Sequence, residues 1–373
     1  MNGLSQKRYL ELPLPTEDDP RSDQQRILDS LAAAGVEERV HIPVHILRQL
    51  YPLLDNAKWK ITVSLAWDGE NWEMVEIEEG DTTAQHYGLA VDLGSTTVVA
   101  RLLDCNSGEI LEEVSCFNKQ IQWGTDILSR IFYCKDNREK LEEVRRATVE
   151  SICECMDKLD ASHSALSMVI AGNTTMIHFL LGMDAFCVFY TPHAVHADRP
   201  GFQLARDLDI PLKGYVYCYP AKSNYLGGDI ISGMIDTELY KKNEISVFFD
   251  IGTNGELVIG NKEFLLCGAG AAGPALEGGV VRTGMRADIG AVDEVKIRDG
   301  NIFVHVIGNS APQGICGSGI IDLIAELFLE GWIDIRGKLS PEKSPLIQES
   351  DNQLCVEYAP GLYFYQKDID EFI

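Results

Sequence analysis

The sequence predicts an α/β protein of two related lobes, preceded by a small α+β domain. Three observations carry that expectation. An Asp-x-Gly turn set between strand-like apolar runs occurs twice, as Asp92-Leu93-Gly94-Ser95-Thr96-Thr97 and as Asp250-Ile251-Gly252-Thr253-Asn254-Gly255, and a matched repeat marks related structural units. Helical and strand periodicities alternate between the two copies, as in a sheet flanked by helices. At 373 residues the chain also exceeds what one hydrophobic core commonly organises. The expected division is a linker over residues 1–24, a small α+β domain over 25–84, and a two-lobed domain over 85–373 whose lobes meet near residues 240 and 241.

Taken in order, residues 9–23 are rich in proline and acid and read as an extended linker. Ser22 followed by Gln25 makes a capping box for a helix with Ile27, Leu28 and Leu31 at its apolar positions. A short helix is expected within residues 43–54. Trp59, Ile61, Val63 and Leu65 then alternate with polar residues as in a half-buried strand, and the Asp68-Gly69 turn joins it to a partner over 72–77. The first repeat follows, with strands on either side of its turn and a third strand over 110–117, an antiparallel meander.

Thr125 or Asp126 caps a helix bearing Ile127, Leu128, Ile131 and Phe132 on one face. The polar residues before it could line a cleft, but Asp126 and Arg130 better suit an i,i+4 pair on a solvated helix. A long helix with Leu141, Val144, Thr148, Ile152 and Met156 at core spacing feeds a strand over 167–170, which ends in Ala171-Gly172-Asn173-Thr174-Thr175-Met176. His178 reads as a packed residue, and His193, His196, Asp198 and Arg199 as parts of a polar surface loop. Leu226-Gly227-Gly228-Asp229 opens another helix. Beyond the second repeat, residues 267–279 are rich in glycine and alanine, residues 304–307 read as a strand, and Gly314-Ile315-Cys316-Gly317-Ser318-Gly319 precedes an apolar helix. Cys316 fits either a reactive or a small buried thiol. After Gly331 the chain reads as short strands and turns, with a helix starting at residues 367–370.

Composition limits the partners. With 32 basic against 57 acidic side chains the formal charge is −25, which repels nucleic acid and anionic membrane from most of the surface. No apolar run approaches a membrane span and no signal peptide is evident, so a cytoplasmic location is expected. The ten cysteines are scattered without zinc or iron–sulfur spacing. Cys153 and Cys155 are the only close pair, and inside a helix a two-residue step sends them to nearly opposite faces.

The repeats suggest chemistry. In each copy a carboxylate, Asp92 or Asp250, closes a strand. A glycine, Gly94 or Gly252, then frees the backbone for a tight turn. Hydroxyl or amide residues follow at once: Ser95, Thr96 and Thr97 in one copy, Thr253 and Asn254 in the other, with Gly255 and Glu256 behind them. Such turns gather backbone N–H groups that suit phosphate oxygens beside a carboxylate that suits Mg2+. One copy alone is also ordinary hairpin punctuation. Further contacts are expected at Asn173 and Thr174, at Gly227, Gly228 and Asp229, and at Gly273 and Gly317, where helix starts or glycines admit a ligand. A helix cap explains the 173–174 pair equally well.

The set comprising Gly88 to Thr97, Ala171 to Met176, Asp250 to Glu256, Ala272 to Gly278 and Gly314 to Gly319 resembles the reductive activators of corrinoid-dependent enzymes. The resemblance runs from about Tyr9 to the end. It implies an actin, sugar-kinase and Hsp70-like (ribonuclease H-like, ASKHA) two-lobed ATPase domain that is incomplete at its C-terminal end. It also implies ATP-dependent return of a corrinoid protein from Co(II) to Co(I), with ATP and Mg2+ as cofactors. By motif, Asp92 and Asp250 would organise Mg2+ through water and the attacking water. Ser95, Thr96, Thr97, Thr253 and Asn254 would contact phosphates. Two departures stand out. Residues 1–85 hold no cysteine for that family's [2Fe–2S] domain, and no Gly-Gly-x-Gly adenosine motif occurs. No iron–sulfur cluster is therefore expected in this chain, and a separate reductase or ferredoxin, or a deleted domain, is expected to supply the electron. A fragment, or a chain completed by a partner, is expected, and a homodimer stays open.

Two other classes compete. A small-molecule kinase on the same scaffold would need a base facing an acceptor and would phosphorylate it stoichiometrically. A non-catalytic nucleotide-responsive binding module would keep its function after Asp92→Asn or Asp250→Asn.

Overall fold

Alternating apolar residues build the first sheet of the computed structural model, which describes residues 3–124, 126–160, 162–251, 255–270, 281–285 and 287–372. The chain divides into two units, Met1–Lys242 and Asn243–Ile373. In the first unit, β1 (Ser5–Glu11), α1 (Asp23–Ala33), β2 (Val40–His41), α2 (Val44–Leu47), α3 (Leu50–Asn56), β3 (Lys60–Trp67) and β4 (Trp72–Glu79) form a four-stranded sheet of order β1-β3-β4-β2 with its helices. Ile27 and Leu31 of α1 and Leu54 of α3 pack on Ile61, Val63 and Leu65 of β3. Ser22 caps α1 as expected, its Oγ accepting from Gln25 N at 3.2 Å.

The expected linker over residues 9–23 is corrected at its start. Tyr9, Leu10 and Glu11 belong to β1, which pairs antiparallel with β3, and Leu10 and Leu12 are buried. Tertiary pairing overrides the proline- and acid-rich composition. Residues 13–19 are held by Arg26, which is wholly buried and donates from Nη1 to Pro13 O at 3.2 Å and Asp19 Oδ2 at 2.7 Å.

Six strands make the second sheet: β5 (Tyr87–Leu93), β6 (Thr97–Asp104), β7 (Ile110–Phe117), β8 (Ala165–Gly172), β9 (Gly201–Leu204) and β10 (Tyr215–Cys218), in the order β7-β6-β5-β8-β10-β9. β5, β6 and β7 are the expected antiparallel meander, and β5, β8 and β10 run parallel. The strand period of two sorts its residues. Leu89, Val91, Leu93, Val98, Ala100 and Ile170 are buried under α4 (Ile127–Cys134), α5 (Arg138–Lys158) and α6 (Thr174–Leu180). Ala90, Asp92, Val169 and Ala171 have the opposite parity and share a cavity with α7 (Gly228–Thr237).

Asp126 caps α4, accepting from Ser129 N at 2.8 Å; Thr125 lies outside the described residues. The solvated Asp126–Arg130 pair is corrected. Arg130 is wholly buried and donates to Gly124 O at 2.9 Å and Gln120 Oε1 at 3.0 Å, because its side chain turns inward off the helix. His178 is packed as expected, with Nδ1 2.8 Å from Thr174 O and burial lowering its pKa.

In the second unit, β11 (Ser246–Ile251), β12 (Gly255–Gly260) and β13 (Leu265–Gly270) repeat the antiparallel meander. β14 (Ala291–Arg298), β15 (Asn301–Val306) and β16 (Gly314–Ile315) form a second sheet ahead of α8 (Gly317–Leu329). β17 (Ile347–Ser350), β18 (Gln353–Ala359) and β19 (Leu362–Tyr365) form a third, closed by α9 (Gln366–Phe372). Val295, Ile315, Ile320, Leu323, Val356 and Phe364 share its core. Among the described residues no helix is long and apolar enough to cross a membrane.

Candidate functional site

Three parallel strands end side by side in the first unit. Leu93 closing β5 is in register with Gly172 closing β8, and Cys218 closing β10 with Ile170. Open α/β sheets bind ligands outside the carboxyl ends of such strands. The loops leaving these three ends carry Gly94–Thr97, Asn173–Thr174 and Gly227–Asp229, so the structure brings the three first-unit motifs together. Close approach is enforced at Gly227, where a Cβ would lie 2.6 Å from Gly172 O and 2.7 Å from Thr174 N.

In the first turn, a Cβ on Gly94 would fall 2.4 Å from Thr97 O, so only glycine closes the hairpin. Thr96 Oγ1 is buried with no hydrogen-bond partner among the described residues. A buried hydroxyl left in that state is costly, and a ligand oxygen at the turn would satisfy it. Asn173 caps α6, accepting from Thr175 N at 3.0 Å, and Thr174 Oγ1 donates to Ser223 O at 2.7 Å. Asn173 Oδ1 and Thr174 Oγ1 therefore shape the loop through bonds within the protein. Asp229 Oδ1 accepts from Ile230 N at 2.8 Å at the start of α7.

A cavity of about 570 Å³ is lined by Asp92, Arg101, Ala171, Tyr219, Ser232 and Asp236, among others. Asp92 is exposed at its wall. Arg101 Nε donates to Glu113 Oε2 at 2.5 Å, a half-exposed pair, and burial raises the Tyr219 pKa. Sequence reasoning passed over Arg101, Tyr219, Ser232 and Asp236, which reach the cavity from separate elements without a shared motif. The sequence did offer a signal for Asn118, the first polar residue after a strand, and the structure places its amide under the hairpin, 2.9 Å from Gly94 O. A larger cavity, about 980 Å³ between α5 and α6, is lined by none of the motif residues.

In the second unit Asp250 sits directly across β11 and β12 from Glu256. Directly opposed residues of an antiparallel pair share a face, so two carboxylates lie together. Burial raises the Asp250 pKa, and Glu256 is 6% exposed. Gly252, Thr253, Asn254 and Gly273 lie outside the described residues. Gly255 begins β12 and Gly317 begins α8, where Cys316 is a buried thiol whose Sγ is 3.4 Å from Val292 O.

Family models match the chain in succession: the RACo linker region over residues 1–84, the RACo middle region over 87–242, and the C-terminal domain of RACo, the ASKHA domain, over 244–373. The corrinoid activation enzyme RamQ of Eubacterium limosum is 36% identical over 258 residues, 67% of this chain and 43% of that protein. The Co(II) methylated amine-specific corrinoid protein reductase of Methanosarcina barkeri is 23% identical over 319 residues, 76% of this chain and 56% of that protein. The chain thus spans about half the length of these curated relatives. A solved structure described as a reductive activator for corrinoid, iron–sulfur protein aligns with a TM-score of 0.86 at 34% identity, covering 99% of this chain and 61% of that one. The chain therefore belongs to the RACo family and is an α/β protein of the ASKHA fold.

Proposed function

We propose that the chain serves ATP-dependent reductive activation of a corrinoid protein, taking its cobalt from Co(II) to Co(I). One electron enters from a low-potential donor, a reductase or ferredoxin, or an iron–sulfur domain outside these residues. The observation that supports a nucleotide is the convergence of the Gly94–Thr97, Asn173–Thr174 and Gly227–Asp229 loops at the ends of strands whose preceding residues, Asp92 and Ala171, line a cavity. The relatives' printed names supply the corrinoid target.

In this reading the turn N–H groups and the Ser95, Thr96 and Thr97 hydroxyls take phosphate oxygens, and the buried Thr96 Oγ1 gains its missing partner. Gly227, Gly228 and Asp229 set the helix start beside them. From the second repeat, Thr253, Asn254, Gly255 and Glu256 have the same assignment, with Gly273 and Gly317 admitting backbone close to ligand. Among the described residues no group of three or more His, Cys, Asp or Glu side chains converges as a metal cage. The Asp92 carboxylate at the cavity wall suits Mg2+, which takes one or two carboxylates and completes its shell with water and phosphate. Asp92 and Asp250 are the carboxylates assigned to it and to orienting the attacking water. When bound, Mg2+ neutralises charge on the transferring phosphate. We assign residues 1–84, 85–242 and 243–373 as the working domains and the cytoplasm as the location.

Phosphate release from ATP, measured with and without a Co(II) corrinoid protein, tests the reading. The expected result is release stimulated by the corrinoid protein and lost in Asp92→Asn. Stoichiometric phosphorylation of an acceptor, or capture of the corrinoid protein unaffected by Asp92→Asn, would replace it with the kinase or the binding-module reading.

A further inference from the structure

Asn118 is wholly buried between β7 and the single-turn helix Lys119–Trp123, which it caps by accepting from Gln120 N at 3.0 Å. Its backbone N–H donates to Thr96 O at 2.8 Å. Its Nδ2 donates to Gly94 O at 2.9 Å and lies 3.9 Å from Met176 Sδ on α6. One residue thus holds two carbonyls of the first turn. Behind it Gln120 bonds Thr148 of α5, and Arg130 of α4 donates to Gln120 Oε1 at 3.0 Å. Asn118, Gln120, Arg130 and Thr148 are all wholly buried, so this polar network cannot exchange its bonds for water without opening the fold.

The peptide geometry gives those bonds a direction. In a trans peptide the C=O and the following N–H point opposite ways. Holding Gly94 O on Asn118 therefore turns the Ser95 N–H away from it, and holding Thr96 O does the same for the Thr97 N–H. The Gly94–Ser95 plane is the one at risk, because glycine gives it the freedom to flip, and a flipped plane would meet an anion with a carbonyl oxygen. The turn's steric demand for Gly94 and its need for a fixed plane conflict, and the Asn118 side chain resolves the conflict.

We infer that Asn118 is a positioning residue that fixes the Gly94–Ser95 peptide plane so that the Ser95 N–H faces a phosphate oxygen of a nucleotide polyphosphate. The inference rests on the nucleotide reading above. Two substitutions in the full chain separate the clamp from the helix cap. Asn118→Asp keeps a capping acceptor and removes the donor, and Asn118→Ser keeps a capping acceptor without adding charge while losing the amide that reaches Gly94 O, its hydroxyl being one bond shorter, which keeps the test open should the buried aspartate prevent folding. MgATP affinity by titration calorimetry, thermal midpoint, and amide exchange over residues 93–97 are measured together. The expected result is affinity reduced about tenfold or more, the size of one lost charge-assisted hydrogen bond, with faster exchange over 93–97. A merely structural role would lower the midpoint and the active fraction and leave the dissociation constant unchanged; that result, or exchange equal to the parent's, overturns the inference. Should the parent bind no MgATP, the nucleotide reading fails by itself, and with it the ligand of this inference; exchange over 93–97 then decides the clamp alone.

Discussion

A wholly buried arginine at residue 26 is an expensive choice, and its neighbours explain how it is tolerated. Its guanidinium reaches Pro13 O and Asp19, and Asp19 is also bonded by Arg21 Nε at 2.9 Å. Hydrogen bonds from Arg21 and then Arg26 hold the Asp19 carboxyl well below the usual aspartate range. A depressed carboxylate contributes stability above its unfolded pKa of about 4, and that contribution fades as pH falls through the folded value. Asp19→Asn should therefore melt below the parent at pH 7, with the gap narrowing as pH drops under about 4. A gap constant from pH 7 to 3 in paired melting curves would contradict this. The same scale shows what could be read in advance at the site. Asp92 and Gly94 were legible because the turn itself demands those residue types at that spacing. Tyr219, Ser232 and Asp236 were not, since their roles exist only after distant elements pack. Arg130 was misread because an i,i+4 partner is a local cue and its inward turn depends on Gln120 and Gly124.

Among the elements, α7 depends most plainly on a glycine. Its start is pressed onto the end of β8, and the methyl group of Gly227→Ala would meet Gly172 O at 2.6 Å, a backbone atom that cannot step aside cheaply. Overpacking of this kind costs about 1–3 kcal/mol. A methyl group at Gly268 of β13 meets nothing within 4 Å. Denaturant midpoints should thus fall for Gly227→Ala and stay near the parent's for Gly268→Ala. Equal midpoints would mean that the loop at 172–174 gives way. The meander β5–β7 and the hairpin β11–β12 were legible as elements because alternating apolar runs meet turns of defined chemistry, whereas β13 was hidden because Leu265–Gly270 runs into a glycine- and alanine-rich stretch. β1 was hidden, since its proline- and acid-rich continuation resembles a linker and only the ladder to β3 reveals it. β14 has no comparable signal, its apolar positions being broken by Asp293, Glu294 and Lys296 and its pairing carrying an irregularity between Val292 and Glu294.

For the whole molecule, the buried apolar cores stay within the units, the first unit having one on β3, α1 and α3 and another around β5, β8 and α5, and the second having one around β14, α8 and β18. Separate cores unfold cooperatively on their own terms, which makes one transition for a chain of 373 residues unexpected. The connection is also accessible: Lys241, Lys242, Asn243, Glu244 and Ile245 are all exposed. Brief trypsin treatment should cut there first and release fragments ending near Lys242 and beginning near Asn243. The first fragment keeps both of its sheets and the three motif-bearing loops, so it should retain native circular dichroism and a cooperative melt that coincides with one of two transitions in the intact chain. A single transition in the chain, together with loss of the first fragment's secondary structure on cleavage, would show that the cores are not independent. The three motif loops would then need the second unit to hold their shape.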